Sequence, residues 1–435
     1  MNLGIVVTVR VKSSRIHEKA LQYVDFKRRA IEVLLDNVVN DEYPVVMAIP
    51  ESKENDILEQ IAFEKGVVVY RGEDDSPLHR LLAAAKDNDF EYVVRVTADD
   101  ILIDSLLMFN MIRFSLNGNL DYCYMRKCPE GVATEVIRVS ALERVANENK
   151  DKSIEFISYY LKNRFKTREY YPPFEYQFPY RLVMDYEEDL TLLRILFCCL
   201  SNPGTLDIIN FLKKHKYLLR INHLPEVTVY TCNYNTADYI IDCMESVLNQ
   251  DFDDFEYIVL DDGSTDNSMD VIMEYYSKLS PVQQKRVKVI RNEENSGLVY
   301  SSNKCTVLGR GRFIVRVDSD DTIHPNFISE TVTQARLDES DGVLTGYNET
   351  KSALTATAEI LENMWHPACA LLSRWCVNEL KYKDGLTPGF EEGKEFYNRW
   401  RKVYKTSFIP KPLWNYRRRE GQKTQDPSHP KNEAI

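Results

Sequence analysis

Val94-Arg95-Val96-Thr97-Ala98-Asp99-Asp100 and Val315-Arg316-Val317-Asp318-Ser319-Asp320-Asp321 say almost the same thing twice: a β-branched run leads straight into paired carboxylates. Such runs favour strands, and in open α/β sheets ligands bind beyond the carboxyl ends of the strands. Clustered carboxylates next to a phosphate-bearing ligand are a usual way to hold Mg²⁺ or Mn²⁺. An Asp after a strand also starts turns and caps helices, so one copy alone says little. Two matched copies point to two domains of related design, each with a divalent metal at a strand end.

Length and composition agree. A chain of 435 residues exceeds one ordinary core and suits two units of about 200. With 44% hydrophobic and 28% charged residues and a net charge of -12, it reads as a soluble globular protein and not as a nucleic-acid binder or a strongly basic membrane binder. Nine cysteines occur without a Cys-x-x-Cys pair, which suggests reduced, buried thiols and a cytoplasmic protein. The apolar run Ile195–Leu200 is far short of the roughly 20 residues that cross a bilayer, and Arg10 and Lys12 interrupt the apolar start where a signal peptide would lie. The expectation is a cytoplasmic chain with no transmembrane segment, at most peripheral at the inner membrane face.

In the first half, Leu3 to Val9 reads as a buried strand, residues 10–19 supply Arg10, Lys12, Ser13, Ser14, Arg15 and Lys19, and a helical pattern follows around Ala30, Ile31, Leu34 and Leu35. A strand, a cationic hydroxyl-bearing loop and a helix suit a triphosphate, because backbone N–H groups, Arg forks and a Lys charge can all face it. Further strands at Pro44–Ala48, Val67–Tyr70 and Tyr92–Val96 predict a parallel sheet.

Residues 1 to about 222 resemble the cytidylyltransferase-like family that includes the spore-coat polysaccharide protein F group. The resemblance is carried by the Arg10–Leu21 loop, by Arg95–Asp104, by Pro129-Glu130-Gly131 with Glu135-Val136, and by Arg181–Asp185 with Glu188-Asp189. It implies that Asp99 and Asp185 hold Mg²⁺ against CTP while Arg10, Ser14, Arg15 and Lys19 bind the triphosphate. Three positions depart from the family pattern: Lys12 stands where Gly is preferred, His17 where Pro is, and Ala98-Asp99-Asp100-Ile101 replaces Gly-Asp-Asn-Pro.

Leu206–Leu219 has an amphipathic helical pattern, and Pro225 precedes a new strand, which places the domain boundary at about 224 and gives domains 1–224 and 225–435. Val227–Thr231 reads as a strand, residues 238–249 as a helix, and Phe255–Leu260 as a second strand leading into Asp261-Asp262-Gly263-Ser264-Thr265-Asp266. Asp261 and Asp262 suit a nucleobase N–H and ribose hydroxyls, Gly263 a tight turn, and Asp266 a helix cap.

This half, from Val227 to about Pro430, resembles the family 2 glycosyltransferases, which have the GT-A fold. The carrying motifs are Asn233-Tyr234-Asn235, Glu245–Gln250, Asp261–Asp266, Asn295-Ser296-Gly297, Asn303 and Asp318–Asp321. The resemblance implies Asn235, Asp261, Asp262 and Asn303 on the nucleotide-sugar, Asp320 assisted by Asp318 on a metal, and Glu392 as the base that activates the acceptor hydroxyl. Trp365-His366-Pro367 and Trp414 suit either the acceptor side or core packing.

The fold expected is therefore α/β, two Rossmann-like, GT-A-like nucleotide-diphospho-sugar transferase domains in tandem. The function expected is a metal-dependent (Mg²⁺ or Mn²⁺), inverting glycosyltransferase of surface polysaccharide or glycoconjugate synthesis, fused to a CTP-dependent sugar nucleotidyltransferase. Its partners would be a UDP-, GDP-, dTDP- or CMP-linked sugar, a glycan or lipid-linked acceptor, and CTP, with no nucleic acid. The rival expectations are an active N-terminal half alone, or two halves that form a non-catalytic nucleotide-sugar-binding scaffold.

Overall fold

The computed structural model describes residues 2–13, 15–74, 76–148, 157–162, 164–351, 355–359, 370–383 and 391–418. The chain forms two compact units, Met1–His223 and Leu224–Ile435.

The first unit is built on strands β1 (Leu3–Thr8), β2 (Val45–Pro50), β3 (Val68–Gly72), β4 (Tyr92–Thr97), β5 (Tyr122–Met125), β6 (Glu135–Arg138) and β7 (Thr167–Tyr170), in the spatial order 3-2-1-4-6-5-7. Successive side chains point to opposite faces of a strand. Ile5 and Val7 accordingly join one core while Val6 joins another on the other face. Burial on both faces explains why β1 and β2 are almost wholly apolar. The parallel arrangement predicted from sequence holds for β3-β2-β1-β4. It stops there, because β6 runs antiparallel to β4 with Arg95 opposite Glu135.

The amphipathic pattern at 206–219 becomes the helix Thr205–Lys214 and a 3₁₀ turn at Lys216–Arg220. The apolar run with adjacent cysteines lies in the helix Glu187–Cys199, where Cys198 and Cys199 are free but exposed thiols, not buried ones as expected, because they fall on the solvent side of the helix's last turn. Among the described residues no helix is long and apolar enough to cross a membrane.

The second unit contains β8 (Val227–Asn233), β9 (Phe255–Asp261), β10 (Val287–Arg291), β11 (Phe313–Arg316), β12 (Thr322–Ile323), β13 (Gly342–Lys351), β14 (Thr355–Glu359), β15 (Ala370–Ser373) and β16 (Thr406–Arg418). The order is 10-9-8-11-15-13-16-12, with β14 on β13. Strands β10-β9-β8-β11 are parallel, and β15 then runs antiparallel to β11. The opening of each sheet is thus the same: four parallel strands in the order third, second, first, fourth, followed by an antiparallel neighbour. The repeated sequence occupies the same place in both, as β4 and β11.

Each unit therefore has a switch point, β1 against β4 and β8 against β11, from which the chain winds outward in opposite directions. That is where an open α/β sheet offers a crevice.

Candidate functional sites at the two switch points

In the first unit the loop after β1 and the turn after β4 meet. Buried Val11 and Ile16 anchor the loop, and the Val11 N–H donates to Asn55 Oδ1 at 2.9 Å. Glu18, not Lys12, takes the left-handed conformation, φ +47°, so the departure from Gly at position 12 is not where the backbone is unusual. Lys19 Nζ then lies 3.3 Å from Asp99 Oδ2 and 3.1 Å from Asp185 Oδ1. Arg15 Nη1 is 2.9 Å from that same Asp185 oxygen, and Arg181 Nη2 is 3.3 Å from the other. The structure thus brings together Arg15, Lys19, Asp99 and Asp185. Ser14 lies outside the described residues.

Asp185 is aimed by its neighbours. Its own N–H and that of Tyr186 donate to Asp189 Oδ2, each at 2.9 Å. Arg181 is clamped by Asp189 and by Glu130, and Met184 N–H donates to the Asp99 carbonyl at 2.9 Å. Burial raises the Asp185 pKa, but Lys19, Arg15 and Arg181 outweigh it and hold the carboxyl below its ordinary value. Asp100 goes the other way. Burial first, and then the charge of Asp99, push it well above the usual carboxylate range, although Thr97 Oγ1 donates to it at 2.6 Å.

Sequence reasoning missed Arg80, which is 3% exposed in the helix Pro77–Asp87. Its Nη1 donates to the carbonyls of Glu73 and Asp74. Burial first, and then the charge of Arg10, lower its pKa. Its only sequence signal was a charged residue set among Leu78, Leu81 and Leu82.

The second switch point is organised by hydroxyls and amides. Thr236 Oγ1 reaches Ser319 Oγ at 2.9 Å, joining the loop after β8 to the loop after β11. Asn235, φ +54°, accepts from the Thr265 N–H at 2.8 Å. Asp261 and Asp262, expected on the nucleotide, are both bonded to the loops around them. Asp261 is fully buried and accepts from Asn233 and Ser264. Asp262 is 3% exposed and accepts from Asn292 and from the N–H groups of Ser296 and Gly297. Both carboxylates shape the surrounding loops. Asn303, expected on the nucleotide-sugar, makes two 2.9 Å bonds from its amide to the backbone of Tyr382. Asp266 does serve the next helix, accepting from the Ser268 N–H at 2.9 Å.

Asp318 receives Arg316 Nε at 2.7 Å, and Asp320 beside it is 8% exposed. Asp321 is the structural member of the run, accepting from Trp414 Nε1 and the Arg417 N–H, both at 2.9 Å. Burial, followed by the charges of Asp320 and Asp318, raises its pKa well above the usual range. Trp414 is fully buried, which decides its alternatives in favour of the core. Glu392 falls in the first turn of the helix Glu391–Trp400, but its side chain, like Trp365-His366-Pro367, lies outside the described residues.

Both switch points offer carboxylate oxygens suited to a hard divalent cation. In the first, Asp99 and Asp185 already converge on one cationic group, so their placement fits a shared ion. Among the described residues no three or more His, Cys, Asp or Glu side chains gather as a metal site.

Comparison with known proteins agrees with this division. The cytidylyltransferase family model matches residues 4–221 and the glycosyl transferase family 2 model residues 228–380. Glycosyltransferase GlyG of Streptococcus pneumoniae serotype 4 is 28% identical over 45% of this chain and 71% of its own length. Putative glycosyltransferase EpsH of Bacillus subtilis is 42% identical over 28% of this chain and 34% of its own. The spore coat polysaccharide biosynthesis protein SpsF of Bacillus subtilis is 24% identical over 44% of this chain and 85% of its own. Of EpsH, and of the chondroitin synthase of Escherichia coli at 17%, the chain spans about a third or less. With two α/β units, each built around a carboxylate-bearing switch point, the chain belongs to the cytidylyltransferase family, whose model matches residues 4–221, and its residues 228–380 match the glycosyl transferase family 2 model.

Proposed function

We propose that the chain is a bifunctional transferase of surface-polysaccharide or glycoconjugate synthesis, with a CTP-dependent nucleotidyltransferase in the first unit and an inverting glycosyltransferase in the second. The observation that carries this reading is the meeting, in the first crevice, of a cationic loop with Asp99 at the end of β4 and Asp185 ahead of the helix Glu187–Cys199, together with the same strand order in the second unit.

In the first unit, Arg10, Arg15 and Lys19 neutralise the triphosphate while an oxygen of a sugar phosphate or sugar acid attacks the α-phosphorus and pyrophosphate leaves. In the second, Glu392 takes the proton of the acceptor hydroxyl. That hydroxyl attacks the anomeric carbon opposite the leaving nucleotide, which inverts the configuration. Asn235 and the Ser296-Gly297 loop ordered by Asp262 frame the UDP-, GDP-, dTDP- or CMP-linked donor. A divalent Mg²⁺ or Mn²⁺, held by Asp99 and Asp185 in one crevice and by Asp320 with Asp318 in the other, would supply positive charge to the phosphate oxygens as the leaving group departs.

The test follows two products on the full chain: pyrophosphate from CTP, and nucleotide from a screen of sugar donors. Asp99→Asn should abolish the first and spare the second. Asp320→Asn should do the reverse, lowering transfer about 10²- to 10³-fold. Glu392→Gln should lower turnover about 10²- to 10⁴-fold with donor affinity retained. Loss of both products in either Asp variant would refute separate sites, and absence of pyrophosphate release from the wild type with every sugar phosphate and sugar acid supplied would leave the first unit as a scaffold.

A further inference from the structure

Lys19 touches both Asp99, which follows β4, and Asp185, which precedes the helix Glu187–Cys199, at 3.3 Å and 3.1 Å. The two acids are unequally served. Asp185 also receives Arg15 and Arg181, and Arg181 is in turn fixed by Asp189 and Glu130.

A divalent cation shared by Asp99 and Asp185 needs the oxygens that Lys19 now uses, at coordination distances of about 2.0–2.1 Å for Mg²⁺. An ammonium and a divalent ion cannot occupy that point together. The Lys19 backbone is held in place, since it opens the 3₁₀ turn Lys19–Leu21 behind left-handed Glu18 and beside buried Ala20. Its four-carbon stem is flexible, so Nζ can leave without moving the loop.

We propose that Lys19 is a placeholder cation: it keeps Asp99 and Asp185 together until substrates arrive, and it surrenders them to a divalent ion only when a triphosphate offers its ammonium a new anionic partner. This rests on the nucleotidyl-transfer reading of the first unit and adds an order of events to it. Without Lys19, two adjacent carboxylates would repel one another and draw in metal without nucleotide. With it, metal alone must displace an ion pair, whereas metal arriving with nucleotide need not leave the lysine unpaired. Metal and nucleotide affinities are then positively coupled through one side chain, and linkage makes that coupling reciprocal.

The experiment uses the full chain carrying Asp320→Asn, which silences the proposed metal position of the second unit. Protein-bound Mn²⁺ is measured by electron paramagnetic resonance, with and without a non-hydrolysable CTP analogue. In this parent, Mn²⁺ alone should bind weakly and the analogue should tighten it about tenfold or more. Lys19→Met and Lys19→Gln should each bind Mn²⁺ alone about tenfold more tightly than the parent, and the gain from the analogue should shrink. Lys19→Arg, which keeps the charge, should behave as the parent. If the parent binds Mn²⁺ with the analogue but neither neutral variant gains affinity without it, the placeholder role is wrong and the nucleotidyl-transfer reading stands. If the parent binds no Mn²⁺ in either condition, that reading falls and the placeholder role falls with it.

Discussion

Asp189 is 1% exposed, and its two oxygens collect N–H groups from Arg181, Asp185, Tyr186 and Asn222. Removing one partner of a buried charge network leaves the other uncompensated, at a cost of about 3–5 kcal/mol. Asp189→Ala should therefore destabilise the first unit by about 3 kcal/mol in urea unfolding, leave the transition of the second unit in place, and misplace Asp185 enough to stop pyrophosphate release. An unchanged first transition would refute the anchoring role. In the sequence Asp189 was only a member of a motif, because the donors that define its work come from positions 181 to 222 and meet only in the fold. The repeated arginines make the same point. Arg95 pairs across the sheet with Glu135, whereas Arg316 pairs with Asp318 two residues on. Nothing in the shared Val-Arg-Val text separates those two fates.

Among the elements, the strands at the switch points were legible because β-branched residues buried on both faces leave an unbroken apolar run. The antiparallel flanks were not. Tyr122–Met125 and Glu135–Arg138 are four residues each, too short to show a period. One link on such a flank bears directly on the site. Gly131 has φ +93°, and a Cβ there would lie 2.4 Å from the Val183 nitrogen, beside the Glu130–Arg181 bridge. The left-handed region alone costs a side chain about 1–2 kcal/mol, and the backbone clash adds to it. Gly131→Ala should lower stability by about 2 kcal/mol or more and push the Arg181–Asp185 segment away from Asp99. An alanine variant with wild-type stability would show that this bridge yields freely.

The turn at Asp25 gives an element-level test by pH. Burial raises the Asp25 pKa, but the Lys27 N–H, the Arg28 side chain and the Arg28 N–H together hold it below its ordinary value. A carboxyl depressed on folding contributes stability that is present above its unfolded pKa of about 3.9 and lost as pH falls through the folded value. The stability gap between wild type and Asp25→Asn should accordingly be open at pH 6 and close below about pH 4. A gap that is constant with pH would assign the effect to shape and not to charge.

At the scale of the molecule, each unit encloses its own apolar clusters: Leu3 to Leu218 around the first sheet, and Val227 to Trp414 around the second. A unit with its own core can fold alone. Fragments 1–223 and 224–435 should each give a single cooperative unfolding transition, and fragment 1–223 should keep whatever CTP affinity the full chain has. A fragment that is molten when isolated would show that its partner supplies part of its stability.

The common strand order also has a pharmacological side. A nucleotide mimic added to this chain encounters two crevices of one pattern, one edged by a lysine bridging two acids and the other by an arginine gripping one. On the bifunctional reading proposed above, a dose–response curve that follows only one product records only one of the two occupancies. An inhibitor reported as selective has to be titrated against both products before the word describes a crevice and not an assay.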